Sequence, residues 1–308
     1  MKPIVEVDRV TKKFGDFTAV NDLSFTVEEN EIFGLLGPNG AGKTTTISMI
    51  CGLLPLSGGS IRFPHSGSKS AKSGIGYCSQ ENILYPRLTC FEQLVFTGNM
   101  FGIPLKVARR NALKLLTDLG LSDKTNAMAY GLSGGMKRRL NICLALIHDP
   151  ELLILDEPEA GLDPQSRILV RDFIRNMGKQ KTVILTTHNM DEADRLADRI
   201  AIMDYGQLLK LDTPSRLKAT VGSGNLLELF LKGSPEAILS FKNKPEIAER
   251  LVNPESEEIL LRHEDFTEVF SLVNAITSGC GITISEFRLR ENTLEDVFIQ
   301  LTGRTLRQ

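Results

Sequence analysis

Residues 31–54, EIFGLLGPNGAGKTTTISMICGLL, change character twice in a short span. Ile32 to Leu36 is an apolar run of the kind that forms a buried strand. Gly37, Gly40 and Gly42 then open a turn, and the chain after Lys43 takes a helical pattern. Gly37 to Thr44 fits G-x-x-x-x-G-K-[ST] and stands where that motif must stand, between a buried strand and a helix. Each residue type has a task there. The glycines let the backbone wrap closely around phosphates, Lys43 supplies a point charge to the outer phosphates, and Thr44 offers its hydroxyl to Mg²⁺.

A second apolar run, LLILDEP (152–158), carries Asp156 and Glu157 to the carboxyl end of a strand, where open α/β sheets place their ligands. Asp156 suits the Mg²⁺ shell, directly or through water, and Glu157 has the right neighbourhood to orient and polarise an attacking water. The run TVILTTH closes on His188, and the short strand GIGYCSQ precedes Gln80. A lone histidine at a strand end is more often a hydrogen-bonded structural residue than a catalytic one, and Gln80 by itself says less still. His65, His148 and His263 have no supporting context.

Outward from these motifs, residues up to about 30 alternate apolar and polar like antiparallel strands, 57–73 read as a polar connection, and helical patterns fill much of 89–148. The pattern is α/β, doubly wound with antiparallel and helical insertions. Near TPSRLKATVGSGN (213–225) the style changes, and a Gly/Ser joint leads into strands and helices without a phosphate-binding signature. Two domains are expected: 1–220, holding every motif above, and 221–308, a small α+β domain. The 308 residues carry a formal net charge of -2, which implies no strongly basic face and makes nucleic acid a poor expectation as partner. Five scattered cysteines form neither CxxC pairs nor zinc-ligand spacings and read as reduced thiols. No run approaches the roughly 20 apolar residues of a bilayer span, so any membrane role is expected to come through a partner.

GLSGGMKRR (131–139) starts with an N-capping serine followed by two glycines that leave the first helical N–H groups uncovered. That is an anion-binding surface with no nucleophile, acid or base of its own. The P-loop, Gln80, LSGGM, LILDEP, GLDP and His188 occur in one fixed order, and over residues 3–220 this layout resembles the nucleotide-binding subunit of ATP-binding cassette (ABC) transporters. The resemblance implies a P-loop NTPase cassette with a RecA-like core, an antiparallel β subdomain and a helical subdomain. It also implies ATP bound by Gly37, Pro38, Asn39, Gly40, Ala41, Gly42, Lys43, Thr44 and Thr45, with Phe14 stacked on the adenine. Mg²⁺ would be held by Thr44, Gln80 and Asp156, and catalysis would fall to Glu157, His188 and Gln80.

By the same resemblance Ser133, Gly134 and Gly135 cap the γ-phosphate of ATP held by a second copy or a related cassette, and Asp163 crosses that dimer. Gln80 would relay the state of the site to a separate membrane permease, which places the chain at the cytoplasmic face of the membrane. Glu159-Ala160 ahead of GLDP departs from the family's usual Thr or Ser. NTLEDVFIQLTG (292–303) and LTCFEQLVFTGNMFGIP (88–104) resemble export-type cassettes serving drug, antibiotic, lipid or ion efflux. The competing assignments are a soluble ABC ATPase of translation or DNA repair and an import-type cassette. The single cassette, the absence of a coiled-coil or zinc insertion and the near-neutral charge weigh against the soluble class.

Overall fold

The apolar run that opens the P-loop becomes β3 (Ile32–Leu36), buried at every residue in the computed structural model. The structure describes residues 2–64, 74–221, 225–252, 259–263, 265–279 and 281–303. Part of the polar connection expected at 57–73, and the Gly/Ser joint at 222–224, lie outside the described residues. β3 sits inside a six-stranded sheet with β5 (Ile75–Cys78), β6 (Leu152–Asp156), β7 (Thr182–Thr187), β8 (Arg199–Asp204) and β9 (Gln207–Asp212). The order is β5-β6-β7-β3-β8-β9, with the first five strands parallel and β9 antiparallel at the edge. β6 and β7 are buried at every position, as strands covered on both faces must be. The parallel alignment brings the carboxyl ends of β5, β6, β7 and β3 side by side. Gln80, Asp156, His188 and the P-loop, distant in sequence, follow those four ends in that order.

β1 (Pro3–Phe14) and β2 (Phe17–Glu28) form the expected antiparallel pair, and β4 (Gly58–Arg62) joins them in the order β2-β1-β4. The expectation of a mere polar connection at 57–73 is therefore corrected over 58–62. GGSIR has little intrinsic strand preference, but β1 offers it a row of backbone partners, and pairing overrides propensity. The helical insertion contains α2 (Cys90–Met100), opened by a Thr89/Glu92 capping box, then α3 (Leu105–Asp118) and α4 (Gly134–Leu146). Leu94, Ala112, Leu116, Leu140 and Ile142 bury its apolar seam, continuous with Leu153 and Leu155 of β6. α1 (Lys43–Ile50), α5 (Pro164–Gly178) and α6 (Met190–Leu196) complete the α/β alternation.

The chain divides into two compact units, the first ending at Pro214 and the second spanning Ser215–Arg304. The division falls at the start of α7 (Pro214–Ala219), ahead of the Gly/Ser joint. The second unit has an antiparallel sheet, β11 (Ile259–His263), β10 (Asn225–Lys232) and β12 (Thr283–Arg290), in that order. Helices α8 (Pro235–Lys242), α9 (Pro245–Ala248), α10 (Phe266–Gly279) and α11 (Leu294–Thr302) accompany it, with Leu227, Phe241, Leu261 and Val273 in its core. α11, from the LEDVF stretch, begins with a Thr293/Asp296 capping box, and Arg290 grips the Asp296 carboxylate at 2.6 and 2.9 Å.

Candidate functional site

The P-loop turns from β3 into α1 through Gly42, whose φ of +97° belongs to the left-handed region, and an added Cβ would lie 2.7 Å from the Ala19 carbonyl oxygen. Only glycine fits both the dihedral and the space. The loop borders a cavity of about 280 Å³ lined by Asn39 to Thr45, with Gln80, Glu157, Ala19 and Phe17 around it. Lys43 Nζ donates to the carbonyl oxygens of Gly37 at 2.7 Å and Pro38 at 3.1 Å. Burial pulls the Lys43 ammonium below its usual pKa, while the Glu157 and Asp156 carboxylates oppose that shift.

Asp156 ends β6 almost wholly buried and accepts hydrogen bonds from Thr44 Oγ1 at 3.0 Å and Thr186 Oγ1 at 2.5 Å. The next residue, Glu157, has φ +51°, an unusual backbone setting for a side chain of this size, which turns the chain off the strand. Its N–H donates to Thr186 Oγ1 at 3.1 Å. Its carboxylate lies between two basic groups: Oε1 is 3.7 Å from Lys43 Nζ, and Oε2 is 2.8 Å from His188 Nδ1. P-loop lysine, strand-end glutamate and histidine thus form one cluster at the mouth of the parallel sheet. The Thr44 hydroxyl, the Asp156 carboxylate and the Gln80 amide suit Mg²⁺, which in nucleotide sites takes one or two carboxylates plus phosphate oxygens. No cluster of three or more His, Cys, Asp or Glu able to hold a metal alone occurs among the described residues.

A family model described as ABC transporter (ABC_tran) matches residues 20–160. The linearmycin resistance ATP-binding protein LnrL of Bacillus subtilis (strain 168) is 37% identical over 99% of this chain and 100% of its own length. This chain belongs to the ABC transporter ATP-binding proteins. The Nod factor export ATP-binding protein I of Ralstonia nicotianae (strain ATCC BAA-1114 / GMI1000) is 35% identical over 99% of the chain and 95% of its own length. Among solved structures, cbiO1 from Clostridium perfringens, described as part of the ABC transporter complex cbiONQ, superposes with a TM-score of 0.64. It is 26% identical, covering 71% of this chain and 92% of that one.

The remaining ABC motifs take the following places. Ser133 is the N-cap of α4, its Oγ accepting from the Met136 N–H at 3.3 Å, and Ser133 and Gly134 are exposed. A Cβ on Gly135 would stand 2.9 Å from Ser166 Oγ and 3.3 Å from Asp163 Oδ1, so the start of α4 and the segment of Asp163 approach through this glycine. Asp163 caps α5, accepting from the Ser166 N–H at 3.0 Å, and that bond holds its carboxyl below the usual range. Ser133, Gly134, Gly135 and Asp163 do not line their own chain's P-loop cavity. Phe14 does not line it either, but Phe17 does. The two are cross-strand partners at the β1–β2 turn, so both exposed rings stand on one face there.

Three side chains have partners that the motifs do not reveal. Thr186 joins Asp156 to the Glu157 backbone, a role one threonine of an apolar run does not announce. The departure at Glu159 is a buried carboxylate held in a fork by Arg171 of α5, at 2.9 and 2.6 Å. Arg138 of α4, also buried, donates to backbone carbonyls in the segments of both Gln80 and Glu157.

Proposed function

We propose that this chain hydrolyses ATP and that the resulting dimerisation cycle powers export through a separate membrane permease. The observation that carries the hydrolytic part is Glu157, placed at the end of β6 between Lys43 and His188. Thr44, Asp156 and Gln80 would hold Mg²⁺, which when bound supplies positive charge to the phosphates. Lys43 has carbonyl partners that it can exchange for the outer phosphates as ATP enters. Glu157 accepts a proton as water attacks the γ-phosphorus; the bond from that phosphorus to the β–γ bridging oxygen breaks, leaving ADP and phosphate. His188, half-exposed with Nδ1 2.8 Å from Glu157 Oε2, is in place to hold the γ-phosphate and keep the glutamate oriented.

Phe14 or Phe17 provides a face for the adenine. The exposed N-terminus of α4 serves a second copy or a related cassette rather than its own site, which gives the two-nucleotide sandwich. Residues 1–220 form the nucleotide-binding part, and 221–308 an accessory or regulatory domain. The exposed apolar side chains of Ile83, Tyr85 and Phe96, following Gln80, suit docking of the permease and put the chain at the cytoplasmic face of the membrane. No helix among the described residues is long and apolar enough to cross a membrane itself. The names of the two full-length relatives, a resistance protein and an export protein, support export. Phosphate release from MgATP tests the reading: Glu157→Gln is expected to slow turnover about 100-fold or more while leaving ATP affinity within a few-fold. Wild-type turnover in that variant would overturn it.

A further inference from the structure

α4 carries the signature at its first turn and Arg138 in its second. The Arg138 guanidinium is buried, and no carboxylate pairs with it among the described residues. Its donors go instead to five backbone carbonyls. Nε–H donates to Pro158 at 3.3 Å, one terminal nitrogen to Ser79 and to Gln80 at 3.1 Å, and the other to Asp156 and to Glu157 at 3.0 Å. An arginine has five N–H donors in a planar fork, and here each has its own acceptor. One turn further along, Asn141 Nδ2 adds bonds to the carbonyls of Ser79 at 3.5 Å and Glu81 at 3.3 Å. The backbone on both sides of Gln80 and the backbone of Asp156 to Pro158 are therefore both fastened to α4.

We propose that Arg138 is a positioning residue that locks the Gln80 loop and the Asp156–Pro158 turn to the signature helix, so that each chain's own hydrolysis site senses how its signature engages the partner's nucleotide. This rests on the sandwich reading above. If the α4 N-terminus closes on a γ-phosphate across the dimer, any shift of that helix is passed through one rigid side chain to the backbone of Glu157 and Gln80. Apolar packing could hold α4 equally well, but it would not tie these two segments together. Lysine keeps the charge but offers only three donors from a single point, so it cannot hold both segments in the same plane.

The test compares Arg138→Lys with the wild-type chain. ADP binding by calorimetry is expected to stay within about twofold, because the P-loop is untouched, while kcat falls about tenfold or more, as for loss of charge-assisted hydrogen bonds. The Hill coefficient for ATP should fall from well above one towards one. A purely structural role would lower melting temperature and active fraction without moving the Hill coefficient. Light scattering separates this inference from its premise. If Glu157→Gln does not dimerise with ATP, the sandwich fails and the inference with it. If Glu157→Gln dimerises and adding Arg138→Lys leaves both its ATP midpoint and the Hill coefficient unchanged, the inference alone is overturned. Should Arg138→Lys not fold, Asn141→Ala, which cuts only the Gln80-loop side, is expected to lower the Hill coefficient in the same direction, and an unchanged value overturns the proposal.

Discussion

Removing Arg171 should expose how the turn between Glu157 and Asp163 is held. Glu159 has a side chain 5% exposed, gripped by the Nε–Nη2 edge of the Arg171 guanidinium, which is 17% exposed, with Arg167 Nε farther off at 3.8 Å. The carboxylate beside it pushes the Arg171 pKa up, through a hydrogen bond first and charge second. Breaking a buried pair by deleting one partner costs about 3–5 kcal/mol, because the other charge stays behind. Arg167 can cover one carboxylate oxygen, which places Arg171→Ala at the low end, about 3 kcal/mol. Glu159→Thr, which restores the family's usual residue type, leaves an arginine that can turn towards water and should cost only about 1 kcal/mol. The double variant should then lie well below the sum, with a coupling energy of about 2 kcal/mol. Urea unfolding of all four proteins, followed by circular dichroism, measures this cycle. A coupling below about 0.5 kcal/mol would mean that the pair does not anchor the turn between Glu157 and Asp163.

Three further outcomes can be checked directly. Lys43→Ala should weaken ATP binding about 30-fold or more by calorimetry, since truncating one side of a buried charge pair costs about 2–5 kcal/mol; unchanged affinity would remove the lysine from the site. Burial raises Glu192 to about 8, its Oε2 held by Thr187 at 2.5 Å and its Oε1 without a partner, so the native state keeps a proton that the unfolded chain releases near the ordinary carboxylate pKa of 4.5. The wild-type chain should therefore lose stability relative to Glu192→Gln as pH rises from about 4.5 through 8, by a few kcal/mol of unfolding free energy from urea titrations; parallel pH profiles would contradict that. A chain truncated after Thr220 should still bind ADP, and a folded fragment without affinity would refute the proposed domain division.

Strands β3, β6 and β7 were legible because they are short, largely apolar and lead into diagnostic residues: LLILD ends on an acid and TVILTT is followed by a histidine. β4 was not, since GGSIR becomes a strand only through β1. Phe14 was named through the family resemblance alone, and Phe17, its cross-strand neighbour, required the register of the hairpin. Glu159 stood out as a departure, and its partner Arg171 became visible only when α5 packed back over the loop. Arg138 is the extreme case. Its partners are all backbone carbonyls, which leave no trace in side-chain identity, so a buried guanidinium reads in sequence as one more basic residue on a helix.

The central claim is that two chains share their sites, one supplying Glu157 and the other Ser133 to the same nucleotide. Size-exclusion chromatography with light scattering, in excess ATP, tests it on Glu157→Gln with and without Ser133→Arg. Glu157→Gln should run as a dimer because its bound ATP is not consumed, and binding favours the state that holds ligand better. The double variant should run as a monomer while still binding ATP, since an arginine at the exposed start of α4 obstructs only the partner's γ-phosphate. A double variant that dimerises as well as Glu157→Gln would contradict the shared site.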